Sequence, residues 1–440
     1  MTGVDEDADI LRALAWIAHC TGETPQEGIH RTGQAMQHFM ANCGMQDGRW
    51  VRTNDLLLPA DLPGAWIAQA IAFLAKANAY DARLGSRILP LIKAIGVSLP
   101  ELALVRGAKE RVQRMMADHK RSPESAFFEL AMAGRYLREG MEVEFIQEGH
   151  QRMADLSVGI GPHRVHVECK RLQTSTYEIK EMQAAQLLFV AFEKLTEKHK
   201  VSLYLDVKFT EEVAAVPLDY LARHAERALQ SKLALPDGYP WKDEYGQGVV
   251  RRANLAAVAD DTANSFILVG PKLVRLLTGK QLDPAKCMIS VNASSTHEDD
   301  TRYVADVSMA SVVHWECLAH KSVDARARFI KSKLADIDRQ VAHAPLAIAH
   351  IGMDAERDPV ASDLRRALNK KAAMEYMADS RLVEVELHYF MAREFEQASW
   401  TIDEMVDTFI RGEGKPLLED PRLFPGEDLE KIPPWHIANA

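Results

Sequence analysis

The sequence predicts an α/β protein: a mixed-sheet core in the order helix-strand-strand-strand-helix-strand, a helical N-terminal region, and further α/β elements towards the C-terminus. Three observations carry that prediction. Residues 154–171, ADLSVGIGPHRVHVECKR, alternate apolar and polar side chains on either side of Gly161-Pro162, the pattern of a β-hairpin. Just upstream, Ser122-Pro123-Glu124 reads as a cap with proline at the first helical position and Gly140 as a stop, so one helix lies between them. Just downstream, helical spacing over Glu178 to Leu195 is followed by the strand-like run VSLYLDVKF.

Taken in order, residues 1–120 read as a helical domain, with apolar runs such as ILRALAWIA and GAWIAQAIAFLAKA separated by Gly, Pro and Asp. It holds no catalytic constellation; His19 and His30 beside Cys20 read as core or surface residues. A module for recognition, partner docking or self-association is the expectation. Residues 121–210 form the expected core. Its first helix carries a packing stripe of Phe127, Leu130, Ala131, Gly134 and Leu137, with Glu129 beside that stripe rather than on it, where it would reach a site edge. A strand over Met141 to Gln147 comes next.

The hairpin register follows from its turn. An even-length loop centred on Gly161-Pro162 pairs Ile160 with His163, which sets Asp155 across from Glu168, with Lys170 on the same face. Like charges directly opposite on a sheet repel, so the pair needs a compensating cation. Carboxylate oxygens suit Mg²⁺. Lys170 would then orient a water or neutralise charge on a phosphate. The plainer alternative is a solvated hairpin face with a Glu–Lys pair.

The stretch FELAMAGRYLREGMEVEFIQE…ADLSV…VHVECKR, with Glu129 on the helix, Asp155 on the second strand and Glu168-Cys169-Lys170 on the third, resembles the PD-(D/E)XK nuclease superfamily. The resemblance spans Ser122 to Phe209, and Ala154 stands where the family name has proline. It implies a restriction-endonuclease-like core that cuts phosphodiester bonds with Mg²⁺, for which Mn²⁺ substitutes. Asp155, Glu168 and the backbone carbonyl of Cys169 would hold the metal, Glu129 would support them, and Lys170 would be the catalytic lysine. Gln183 and Gln186 would lie near the substrate. The implied substrate is nucleic acid, DNA ahead of RNA, and the implied setting is prokaryotic antiviral defence, restriction or repair. The alternatives are a catalytically silent binding or scaffold protein on the same fold, and a metal-dependent hydrolase of a small phosphoester.

Residues 211–415 read as an α/β extension of the sheet or a second lobe. Ala214 to Ser231 is helical in spacing, and Leu235 to Gly248 is loop-like in its Gly, Pro and Asp content. SFILVGP, YVADVSMA, SVVHWECLA, PLAIAHIGM and RLVEVELHYF read as strands, with helices over Val323 to Ala342 and Ser362 to Met377. Val313-His314-Trp315-Glu316-Cys317 echoes the first hairpin, but Leu318 replaces the lysine, so buried strands are expected there. His314, His320 and His350 read as structural. Residues 416–440 are Pro-rich and read as a tail rather than a packed element.

Composition sets the outer limits. With 440 residues, 47% of them hydrophobic, the chain can bury a large multi-domain core. No run is long enough to span a membrane, and the acidic start MTGVDEDADI is unlike a signal peptide, so a cytoplasmic protein without a membrane partner is expected. Five scattered cysteines form no CxxC pair and read as reduced core thiols. A net charge of −10 leaves phosphate contacts to local basic patches. The strongest is Arg106, Lys109, Arg111, Arg114, Lys120 and Arg121, to which Arg171 adds; Arg114, Lys120, Arg121 and Arg171 are the candidate substrate contacts. There is no nucleophile elbow, GxGxxG or Walker loop.

Overall fold

The computed structural model describes residues 8–22, 27, 30, 45–46, 49–50, 62–75, 82–118, 123–147, 153–172, 176–231, 238–263, 267–268, 271–280, 282, 286–295, 303–355, 359–377, 380–395, 398–424 and 437–438. They form a mixed α/β protein with two mixed sheets.

The N-terminal region supplies helices α1 (Ala8–Thr21), α2 (Leu62–Leu74), α3 (Ala82–Val97) and α4 (Ala108–Ala117), with a small ladder of Met45–Gln46 on Arg49–Trp50. Helix α5 (Glu124–Arg138) ends at Gly140, whose φ of +75° suits a residue without Cβ. The hairpin follows as β1 (Glu142–Phe145), β2 (Leu156–Ile160) and β3 (His163–Arg171), all antiparallel. Ile160 pairs with His163 and Leu156 with Val167 around the Gly161 turn, as the spacing requires. The helices share one core with the hairpin: Ile10, Ile92, Phe127, Leu156 and Val167 are among its buried residues.

Helix α5 differs from expectation in its surroundings. Every residue from Phe127 to Tyr136 is buried, Glu129 together with the packing stripe. Helices from the N-terminal region cover the side that the sequence left open.

The larger sheet runs β1-β2-β3-β9-β10-β11, with Ile437–Ala438 added to β11 (Ala398–Ile410). Strand β9 (Ala347–Asp354) is parallel to both β3 and β10 (Leu382–Phe395). Its first seven residues are buried, as a central parallel strand covered on both faces must be. The second sheet runs β7-β8-β4-β6-β5, from β4 (Leu203–Phe209), β5 (Tyr239–Lys242), β6 (Gly246–Arg252), β7 (Cys287–Ser295) and β8 (Tyr303–Cys317), with Ile267–Leu268 on β8.

The sixth element of the expected core is therefore placed elsewhere. Strand β4 follows helix α6 (Thr176–His199) but pairs with β8 and β6, not with β3. Ala185, Leu188 and Phe192 of α6 pack with Leu205, Val207, Val313 and Trp315 of the second sheet, which fixes the strand there. The place beside β3 goes to β9, which follows β8 and helix α10 (His320–Gln340). The two hairpins thus exchange crossover strands: β3 leads to the partner of β8, and β8 leads to the partner of β3. The echo V-H-V-E-C and V-H-W-E-C marks these two equivalent strands, each antiparallel to its predecessor and parallel to the other's crossover.

Two further expectations change. Of the loop expected over Leu235 to Gly248, residues 235–237 lie outside the described residues and 239–248 belong to the β5–β6 hairpin, because Asp243 accepts hydrogen bonds from the N–H groups of Tyr245 and Gly246 and closes a tight turn. Part of the Pro-rich tail is packed: Leu418, Leu423 and Phe424 are buried against the α5 core, and Arg135 donates to the carbonyls of Asp420 and Arg422. The remaining elements are α7 (Tyr220–Gln230), α8 (Leu255–Thr262), α9 (Pro271–Thr278) and α11 (Pro359–Met377). Among the described residues no helix is long and apolar enough to cross a membrane.

Candidate active site

The hairpin register continues one residue past β2, so Asp155 stands across from Glu168; its N–H donates to the Val167 carbonyl at 3.1 Å. Asp155 Oδ2 accepts the backbone N–H of Cys169 at 2.9 Å. Lys170 is ion-paired with Glu168 Oε1. The two carboxylates and the lysine therefore gather at one end of the hairpin, on the strand residues that the alternation pointed to.

Glu129 reaches this group through a residue the sequence had assigned to a surface patch. Arg111, on α4, donates Nη2 to Asp155 Oδ1 at 2.7 Å and places Nε 2.8 Å from Glu129 Oε2. Its guanidinium also lies 5.9 Å from the Phe145 ring centre. The placement begins at Gly107, at φ +86°, where α4 starts directly against Phe145; a Cβ there would come within 2.7 Å of the Phe145 Cβ.

Burial sets the electrostatics. Glu129, Asp155 and Glu168 are 5%, 6% and 0% exposed, whereas the Lys170 side chain keeps 26% of its surface. Burial, and next the Asp155 charge, push the Glu168 carboxyl up to about 8 despite Lys170. Glu129 is raised well above its usual range by burial and then by Asp155, with Arg111 opposing. For Lys170, burial acts to lower the ammonium, but Glu168, Asp155 and Glu129 outweigh it and the group is raised, hence charged. Glu168 Oε1 meets the Lys170 ammonium, whereas Oε2 has no hydrogen-bond partner among the described residues. Three carboxyls share two cationic partners, and the second Glu168 oxygen is left without one, which suits a hard cation that enters as the carboxyls ionise.

The other candidates are dispersed. Gln183 and Gln186 are half-buried on α6, the helix that packs on the second sheet, and no hydrogen bond among the described residues ties them to the carboxylates. Arg171, expected as a substrate contact, is 8% exposed, ion-paired with Asp354, and 5.1 Å from the Phe390 ring centre. Strand alternation sends it to the Cys169 face, away from Lys170. Arg106, Lys109 and Arg114 are exposed, while Lys120 and Arg121 lie outside the described residues. In the echo strand, His314 binds Asp206 at 2.9 Å and Glu316 is buried, as expected for a structural strand.

A second charged group was not foreseen. His350 on β9 and Glu386 and His388 on β10 are each 0% exposed, and among the described residues they are the one set of three potential ligands whose donor atoms lie within 4.8 Å of one another. His350 had been read as structural. The available signal was Glu384-Val385-Glu386-Leu387-His388, a polar alternation inside a strand whose other residues are apolar enough to be buried.

No family model and no curated protein matches the chain.

Proposed function

We propose that this protein is a Mg²⁺-dependent nuclease with a restriction-endonuclease-like core, hydrolysing phosphodiester bonds in nucleic acid, DNA ahead of RNA. The observation that carries the reading is the pairing of Asp155 with Glu168 across the hairpin, with Lys170 on the same strand ion-paired to Glu168. The donor set fits the ion: Asp155, Glu168 and the Cys169 carbonyl are hard oxygens, and Glu168 Oε2 lacks a hydrogen bond. Bound there, Mg²⁺ would neutralise charge developing on the phosphoryl oxygens. Lys170, charged and partly exposed, presents an ammonium from the same strand to that phosphate. Arg111 keeps Asp155 and Glu129 from repelling each other and holds Asp155 in place. A cytoplasmic role in defence, restriction or repair, with the helical N-terminal region holding a partner or a second copy, belongs to the same proposal.

One feature favours the alternative of a silent nucleic-acid-binding or scaffold protein: Arg111 already supplies Asp155 and Glu129 with a cation. Labelled single- and double-stranded DNA and RNA, incubated with Mg²⁺ or Mn²⁺, separate the two. Cutting by the wild type that Asp155→Ala and Lys170→Ala both abolish in folded protein supports the nuclease. Cutting that survives both substitutions refutes this active site, and retained affinity without cleavage or metal binding assigns the binding role.

A further inference from the structure

The interior of the larger sheet holds a second set of potential ligands on the side of β9 and β10 that faces α5. Strand register explains why: His350 is the parallel neighbour of Cys169 on β3 and of Glu386 on β10. Glu384, Glu386 and His388 point the same way from β10, so four ionisable side chains share a fully covered face.

Their distances are those of a coordination sphere. His350 Nδ1 lies 2.9 Å from His388 Nε2 and 2.9 Å from Glu386 Oε2, and the last two are 3.7 Å apart. A tetrahedral Zn²⁺ with bonds of about 2.0–2.1 Å sets its donor atoms about 3.3 Å from one another. The three atoms span that range with no change of rotamer.

The outer ring atoms are held as metal-bound imidazoles usually are. His388 directs Nδ1 at Glu404 Oε1, 2.6 Å away, and His350 directs Nε2 at the Tyr136 hydroxyl, 2.7 Å away. Such contacts fix the tautomer that leaves the opposite nitrogen free to ligate. Glu404 is fixed in turn by the Phe424 N–H, at 2.8 Å. Glu386 is completely buried, and the groups that meet its carboxylate, His350 Nδ1, His388 Nε2 and the Glu384 carboxyl, are themselves ionisable. A buried carboxylate in that condition is costly unless a cation completes it.

We propose that His350 Nδ1, His388 Nε2 and Glu386 form a structural Zn²⁺ site that fastens β9 to β10 beneath the C-terminal segment. Two imidazoles and one carboxylate select zinc over Mg²⁺ or Ca²⁺, which take oxygen ligands. Glu384, in hydrogen-bonding contact with Glu386, stands beside the fourth corner. The site is closed: Leu417 donates to Glu384, Phe424 donates to Glu404, and Leu418, Leu423 and Phe424 are buried. No substrate reaches it, so the metal is not the one proposed for the Asp155 cluster.

The experiment is metal analysis of the full chain purified without chelator, followed by exchange of the bound metal for Co²⁺. One zinc per chain, and a tetrahedral Co²⁺ absorption spectrum after exchange, are expected in the wild type and equally in Asp155→Ala. Glu386→Gln should lose the metal, and Glu404→Gln, which removes only the support of His388, should weaken zinc about 10- to 100-fold in a chelator competition. Wild-type protein that neither retains zinc nor takes up zinc or Co²⁺ overturns the proposal and leaves a metal-free hydrogen-bond relay from Tyr136 to Glu404. Zinc held as tightly by folded Glu386→Gln and His388→Gln also overturns it. Should those variants fail to fold, X-ray absorption of the wild-type zinc decides: two imidazole nitrogens and carboxylate oxygen support the site, and sulfur ligation overturns it.

Discussion

Replacing Arg111 with Met is the most searching perturbation of the acidic cluster. Each contact, at 2.7 and 2.8 Å, has a gross Coulomb energy of about 6 kcal/mol at an effective dielectric constant of about 20. Most of that is offset by the desolvation of three groups that are at most 11% exposed at their side chains, and removal of one partner of a buried pair leaves a net loss of about 3–5 kcal/mol. The loss should depend on pH in a definite direction. Glu129 is held above its unfolded-state value, so its contribution favours folding below that value and turns against folding as pH rises through the folded one. Without Arg111 it rises further, so the variant should lose more stability at pH 8 than at pH 5. Urea unfolding of both proteins at the two pH values measures this, and Arg111→Met/Glu129→Gln should recover much of the deficit. A loss under about 1 kcal/mol, or one equal at both pH values, would refute the claim that Arg111 neutralises buried carboxylates.

Lys170→Met should lower the cleavage rate by about 10²–10³-fold in protein still folded by circular dichroism, and a fully active variant would remove the lysine from the chemistry. Because Glu168 is raised to about 8, it is largely protonated at neutral pH and must release a proton when metal enters. Mg²⁺ affinity followed by titration calorimetry should therefore strengthen from pH 6 to pH 9, with proton release at the lower end; a flat profile argues against Glu168 as a ligand. Gly107→Ala, strained at φ +86° and driven against Phe145, should cost about 1–3 kcal/mol in urea unfolding and should weaken the Arg111 contact one turn later.

The parts legible in the sequence were those fixed by local chemistry. The hairpin register followed from Gly161-Pro162 and strict alternation, and α5 from its proline start and glycine stop. What escaped depends on contacts distant in sequence. Nothing near residues 203–209 states that β4 joins another sheet, because a strand bounded by the same helix suits either edge; packing of α6 with Trp315 and Val313 decides it. Arg111 looked like one more charge on an exposed helix, and only the approach of α4 to Phe145 turns it inward. Strand β11 went unread because its charged residues face partners on other elements: Glu404 meets His388, and Asp407 meets Arg366 on α11.

Those same charges explain how one sheet carries two ionic clusters. Adjacent residues of β3 face opposite ways, so Glu168 and Lys170 serve the hairpin cluster while the Cys169 side chain lies in the α5 core beside His350. The backbone of Cys169 belongs to both arrangements: its N–H anchors Asp155, and its strand neighbour is a proposed zinc ligand. Parallel pairing with β9 fixes the height of β3 along the rest of the sheet, while the hairpin turn sets Glu168 opposite Asp155. A metal clamped between β9 and β10 would therefore stiffen the strand that carries Glu168 and Lys170. The exchanged crossover is what makes this possible.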